Sequence, residues 1–394
     1  MSQDIRAFVP EPCDLLALGE PTHQEPAFGA VRNELFAQLV ELGFRSIALE
    51  TDRVAAFAVD DYVSNGTGNL DSVMSEGFSH AFGALDANRR LVARMREYNR
   101  DRPAPERLTF HGFDIPTENT SAPSPRSYFE YARDYLHLDN LDIAGIAGDD
   151  NRWSRDEAIL DFTMSMGATP EAEQLRRIGE DLLTKLYAQA PELTATTSRA
   201  EWLRARTHLD AGLGLLHYHW QAAQPHGQSD RISLLLTTRD TLMARNLLDI
   251  RGIEARRGPT MLFAHNAHLQ RNGSSWSMGD LSAQWFGAGA IVDSVRAESY
   301  SFIAGSLGRS GALELGEPAP DTFEGFLQGR VTGWGLIPAG EVSPARTRTD
   351  TVPRQGYFPL DQATVEGADA IMHVTGQPSG GQTIGSHDIT ELGE

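Results

Sequence analysis

Glu20 and His23 stand three residues apart in Leu18-Gly19-Glu20-Pro21-Thr22-His23, so a tight turn can aim a carboxylate and an imidazole into one pocket. A neutral imidazole can take a proton from water at physiological pH, because its unperturbed pKa is about 6.5. A neighbouring carboxylate fixes the ring's tautomer and stabilises the imidazolium that forms. Three further segments carry similar groups: Glu50-Thr51-Asp52-Arg53, His111-Gly112-Phe113-Asp114 and His265-Asn266-Ala267-His268. A second histidine or an arginine could stabilise a developing oxyanion. Arg32 is one candidate, although a solvated helix arginine is the alternative reading of its local pattern.

Other chemistries lack their signatures. Gly279-Asp280-Leu281-Ser282 and Gly305-Ser306-Leu307-Gly308 do not make a Gly-x-Ser-x-Gly elbow. No Gly-x-Gly-x-x-Gly follows the first apolar run, and there is no P-loop. Cys13 is the only cysteine, which removes an internal disulfide and a cysteine zinc site. It opens an apolar run and reads as a buried, unreactive thiol. Glu20-x-x-His23 and His265-x-x-His268 offer ligand types that a divalent metal accepts, but neither has the fuller His-Glu-x-x-His pattern. The expectation is therefore no cofactor, with a divalent metal as the alternative. His217 and His219 fall in an amphipathic helical pattern and read as surface or packing residues, while His226 and His387 lie in loop-like contexts.

The elements that must position these groups alternate. Compact apolar runs at 15–18, 46–50, 108–113, 260–264, 288–292, 300–304 and 370–374 read as strands. Helical spacing marks 26–42, 53–63 and 85–100, and Gly43 is placed to stop the first of these. Strand, helix, strand, helix, strand predicts an α/β fold, a three-layer α/β/α sandwich with a mainly parallel sheet. Residues 117–126 are loop-like, and 127–250 are mainly helical, notably 171–189, 199–222 and 229–250. The expected division is an α/β core of 1–118 and 251–375, a helical insertion or cap of 119–250, and a flexible tail of 376–394. Residues 310–366 read as irregular. The polar segments fall where predicted strands end, and open parallel sheets bind ligands beyond those ends.

The composition is that of a globular protein, 40% hydrophobic and 22% charged over 394 residues. A net charge of -20, with basic residues scattered, argues against nucleic acid and anionic membranes as partners. No segment has the length and apolarity of a membrane span, and the first residues do not read as a secretory leader. The expected location is the cytoplasm, and the expected partner a small-molecule substrate. The sequence leaves the oligomeric state open.

At these same residues the sequence resembles the erythromycin esterase family, which includes proteins described as succinoglycan biosynthesis proteins. The resemblance rests on Leu18-Gly19-Glu20-Pro21-Thr22-His23, Leu42-Gly43-Phe44-Arg45-Ser46-Ile47-Ala48-Leu49-Glu50, Arg96-Glu97-Tyr98-Asn99, Phe110-His111-Gly112-Phe113-Asp114 and Phe263-Ala264-His265-Asn266-Ala267-His268. Met278-Gly279-Asp280, Trp285-Phe286-Gly287 and Asp369-Ala370-Ile371 continue it in order. It implies hydrolysis of a macrolide lactone by activated water, without a metal, on a three-layer core with a helical elaboration. By position it implies that His23 is the general base, that Glu20 and Glu50 orient and charge-balance it, that Arg32 is a site arginine, and that His265 and His268 are the second histidine pair. Gln24 and His111 depart from the pattern near the expected pocket.

Taken together, the catalytic candidates are His23, Glu20, Glu50, His265 and Arg32, and the substrate-binding candidates are His268, His111, Asp114, Arg53 and Asn266. The expected function is hydrolysis of an ester or macrolactone in a natural product. The alternative is a biosynthetic enzyme that uses the same groups for dehydration, cyclisation or rearrangement.

Overall fold

The structure, a computed structural model, describes residues 2–118, 120–296 and 299–376. The tail predicted at 376–394 lies almost wholly outside these residues, as does His387. Seven strands form one sheet: β1 (Leu15–Glu20), β2 (Ser46–Asp52), β3 (Thr109–Asp114), β4 (Thr260–His265), β7 (Tyr300–Leu307), β8 (Trp334–Pro338) and β9 (Ala370–Val374). Their order is β3-β2-β4-β1-β7-β9-β8, and every pairing is parallel except β8 with β9. A separate antiparallel hairpin joins β5 (Gly273–Met278) to β6 (Leu281–Phe286).

The two-residue period of the strands sorts the core into layers. Leu16 and Leu18 of β1 join Ile47, Phe263 and Ile303 against Phe28 and Leu35 of the helix Pro26–Glu41 and Leu91 of the helix Asp86–Asn99. Leu15 and Ala17, on the opposite face, join Leu262 and Phe302 against Met243, Leu247 and Ile250 of the helix Gln228–Glu254. This is the α/β/α sandwich. The helical region has its own core, in which Phe129, Trp153, Leu182 and Leu209 are buried. Its last helix, Gln228–Glu254, is continuous, so the sequence boundary at 250 falls inside one element that starts in the helical region and ends on the sheet.

Three expectations about elements change. The run Ala288-Gly289-Ala290-Ile291-Val292 is not a strand but the start of the helix Ala288–Arg296. A short run that is apolar on all sides fits a buried helix as well as a buried strand. Gly289 lets this helix pack closely, since a Cβ there would lie 2.0 Å from the Leu269 carbonyl oxygen. Residues 310–366, read as irregular, include β8 and the helix Phe323–Gln328. The hairpin β5–β6 has no counterpart in the sequence reading. Among the described residues, no helix is long and apolar enough to cross a membrane.

Candidate functional site

Four parallel strands deliver the polar groups at one edge of the sheet. β1 ends at Glu20, and the turn through Pro21 and the fully buried Thr22 presents His23. The close approach of β7 to this turn requires Gly305, because a Cβ there would lie 2.4 Å from the Gly19 carbonyl oxygen and 2.9 Å from Pro21 Cδ. The Phe358 amide donates to the Pro21 carbonyl at 2.9 Å, holding the turn from the other side.

His23 Nδ1 lies 2.7 Å from Glu20 Oε1, and its Nε2 lies 3.8 Å from Glu50 Oε1. Glu50 is a junction. Its Oε2 accepts the His265 backbone N–H at 2.9 Å, fixing the end of β2 to that of β4. Its Oε1 also faces His268 Nε2 at 3.3 Å and accepts from Arg239 Nη2 at 3.0 Å. His268 Nδ1 is 2.8 Å from Asp240 Oδ1, and that same carboxylate oxygen accepts the Ala288 N–H. Arg239 reaches across to Asp114 at the end of β3, donating from Nε at 3.0 Å and Nη2 at 2.5 Å. His80 completes the network, with Nε2 3.0 Å from Asp114 and Nδ1 2.8 Å from Glu118. Its backbone and that of Ala81 are left-handed, at φ 55° and 56°. Two successive non-glycine residues in that region cost about 1–3 kcal/mol each, which the carboxylates on both ring nitrogens help to offset.

The electrostatics divide the histidines. Burial alone would lower the His23 pKa, but the Glu50 and Glu20 carboxylates outweigh it and raise the value above the ordinary imidazole range. Burial also opposes the charge of Glu50, yet His268, His23 and Arg239 hold its carboxyl well below the usual range. Glu20, buried and 7% exposed, moves up because desolvation exceeds the pull of His23. His268 is also desolvated, but Asp240 and Glu50 bring it up to about 10. His80 rises to about 9 beside Asp114 and Glu118. His265 goes the other way, down to about 3, because burial and then the charge of His23 disfavour its cation.

His265 is therefore the neutral histidine. Its Nδ1 accepts the Ala267 N–H at 3.2 Å, which puts the ring proton on Nε2. That N–H makes no hydrogen bond of ordinary geometry among the described residues, although the Pro21 carbonyl favours it. The ring stands edge-on to His23, with centroids 5.4 Å apart, and packs on Phe358 at 4.6 Å. A carboxylate-flanked histidine and a neutral one thus sit side by side.

Six of the residues singled out in the sequence meet here: Glu20, His23, Glu50, Asp114, His265 and His268. Arg32 lies beneath them. It is 2% exposed, donates to Asn33 and Asn88, and stacks on Phe263 at 4.9 Å; it influences Glu20 by charge, without a hydrogen bond. Its burial removes the solvated alternative. Three residues expected to bind substrate are engaged elsewhere in the fold. His111 Nε2 is held by Glu254 at 2.9 Å, which also receives Thr109 and Arg257, in a separate cluster. Its position within β3, before the strand end, places it there. Arg53 turns to Asp249 on the long helix. Asn266 spends its amide on the Gly305 backbone, donating at 2.8 Å and accepting at 2.9 Å, and so ties β4 to β7.

Sequence reasoning missed Arg239, Asp240, His80 and Glu118. The pair Arg239-Asp240 did carry a signal: two adjacent charges stand between Leu234-Leu235-Leu236 and Leu242-Met243 in a helical segment. His80 had none, because it belongs to a bend between helices and not to a strand end. Cys13 is half-buried and its thiol is pushed up to about 12 by burial, in keeping with an unreactive side chain. Among the described residues, no group of three or more His, Cys, Asp or Glu side chains is arranged to hold a metal ion.

A family profile described as erythromycin esterase matches residues 39–391. The match begins after Glu20 and His23, so their pairing rests on the geometry above. Three solved structures share the fold. A Bacillus cereus protein is 16% identical with a TM-score of 0.68, covering 94% of this chain and 90% of that one. A succinoglycan biosynthesis protein is 16% identical at 0.66, with coverages of 94% and 90%. A mutant of the erythromycin esterase EreC, in its open conformation, is 19% identical at 0.66, with coverages of 96% and 94%. No curated protein sequence matches this one.

Proposed function

The chain belongs to the erythromycin esterase family, and from that premise we propose that it is a hydrolase in which His23 activates water to attack the carbonyl of an ester or lactone. The observation that carries the reading is the pairing of His23, set between Glu20 and Glu50, with the neutral His265. His23, once neutral, takes a proton from water, and the hydroxide adds to the carbonyl carbon. The oxyanion that forms accepts from His265 Nε2–H, a buried donor without a hydrogen-bond partner among the described residues. A pre-aimed donor of this kind is worth about 2.7–4 kcal/mol in such sites. Glu20 and Glu50 hold the imidazolium while it exists. His23 then returns its proton to the departing alkoxide, leaving an acid and an alcohol. The scheme uses no cofactor, and its substrate is a small molecule.

The test is mass spectrometry of the products from a panel of esters and lactones in water labelled with heavy oxygen. The reading expects one labelled oxygen in the acid product. It also expects His23→Ala to lose roughly 10²–10⁴-fold in kcat/KM, the usual share of a general base, with the melting temperature kept. Products that form without taking up solvent oxygen would replace hydrolysis by the dehydration or rearrangement chemistry that the same groups support.

A further inference from the structure

Beside the polar network lies an apolar cavity of about 130 Å³. It opens between the short helix Asp156–Leu160 and the long helices Arg199–Ala222 and Gln228–Glu254. Ile159, Leu160, Ile232, Leu235 and Leu236 form its apolar walls. One wall is polar, made by His80, Glu118 and Arg239, with Tyr218 close enough to Arg239 to feel its charge. That wall is continuous with the reacting groups, since Arg239 donates to the Glu50 carboxylate that faces His23. The apolar surface also continues outward. Leu160 and Phe162 remain 52% and 42% exposed, and Phe162 lies 5.7 Å from the Arg231 guanidinium on the cavity lining. Large apolar side chains gathered at a cavity mouth mark a place that meets apolar ligand.

Size and wall chemistry together narrow the guest. An apolar protein cavity of roughly 150 Å³ takes a guest the size of benzene. A macrolactone ring does not fit such a space; a short alkyl or acyl chain does. The carbonyl end of that guest would meet Arg239, whose Nη2 also donates to Glu50, while its hydrocarbon lies along Ile232 and Leu236.

We propose that this cavity is the subsite for a short aliphatic arm of the substrate, so that the enzyme acts on esters of roughly hexanoyl length, and that Ile232 and Leu236 set the limit. The proposal rests on the hydrolase reading for the word substrate, but the subsite is testable without turnover. Straight-chain carboxylates from acetate through butyrate, hexanoate and octanoate to decanoate mimic the acid product. Calorimetric titration of the full chain should show affinity rising two- to fourfold per methylene, as buried methylenes do, and levelling off beyond hexanoate. Leu236→Trp fills the cavity and should flatten the series; Ile232→Trp does the same from the neighbouring turn and serves if the first variant does not fold. Affinity independent of chain length, or an unaltered series in a folded tryptophan variant, would overturn the subsite. The matching series of nitrophenyl esters separates the two readings. Hydrolysis without chain-length preference leaves the hydrolase and removes the subsite. Chain-dependent binding with no hydrolysis of any ester leaves the subsite and removes the hydrolase.

Discussion

Glu50 faces His23, His268 and Arg239 at once, and its charge decides the pH at which His23 works. A group with a raised folded pKa is protonated over a wider range, so His23 becomes a base only once the pH exceeds that raised value. Under the proposed mechanism, kcat/KM therefore climbs through an apparent pKa above 6.5, the ordinary imidazole value. Glu50→Gln keeps an acceptor for the His265 amide but removes the charge, and an opposite charge at this range shifts a pKa by about 1–3 units. The limb should move to lower pH in that variant while the maximum rate falls. A limb that stays in place in Glu50→Gln would mean that another group is titrating. Asp240 makes a different kind of contribution. It is fully buried and holds His268 at Nδ1, while Glu50 faces the same ring at Nε2. Asp240→Asn leaves Glu50 as the remaining counter-charge, so the expected loss is about 3 kcal/mol, the lower end for breaking a buried pair. Urea unfolding at neutral pH measures it, and a loss under about 1 kcal/mol would show that the pair is dispensable.

The strands place the carboxylates and histidines, and their apolar runs made that placement legible in the sequence. Leu15–Glu20, Ser46–Asp52 and Thr260–His265 each carry an unbroken buried run that ends on a polar residue, so strand and site are announced together. The same argument failed where the chemistry comes from the middle of an element. Arg239 and Asp240 sit inside a helix of 27 residues whose two ends serve different layers, and nothing local says which faces the sheet edge. His111 shows the converse. It stands in the right segment, yet the strand's alternation and its early position turn it to Glu254. Asn266 and Gly305 reveal what strand ends require beyond reactive groups. Each strand must stop at a fixed height relative to its neighbour, and the Asn266 amide spans the gap between β4 and β7. A Cβ at position 305 would push into Gly19 and Pro21. Gly305→Ala is expected to displace the turn that carries His23, lowering kcat/KM far more than it lowers stability, because misplacement by about 1 Å can cost on the order of 10²-fold in rate. Wild-type kinetics in that variant would show that the turn yields without consequence.

Across the described residues the histidines with displaced pKa values fall into two sets, and the sets pull stability in opposite directions with pH. His208 and His219 are held down to about 4 by burial, and His265 and His373 to about 3. All four fold neutral, so their contribution is complete above the unfolded value of about 6.5 and is lost as the unfolded chain takes up protons below it. His268 and His80, raised to about 10 and about 9, behave in the reverse sense. Their contribution is complete below about 6.5 and disappears as pH rises through the folded values. Stability should therefore peak near pH 6.5 and fall on both sides. Four protons bound only by the unfolded chain are opposed by the one that Asp52 binds only when folded, since burial raises its carboxyl to about 6. The net slope is up to about 4 kcal/mol per pH unit, at about 1.4 kcal/mol each. Two units of that cost about 8 kcal/mol, the stability of an ordinary domain in the range of about 5–15 kcal/mol. Acid unfolding is thus expected near pH 4.5, about two units below the unfolded imidazole value. The urea midpoint measured from pH 8 to pH 5 checks this, and the combined His219→Gln and His373→Gln variant, whatever its starting stability, should show less than half the acid slope. A midpoint that stays flat between pH 7 and pH 5 would mean that these histidines are free to protonate inside the folded protein.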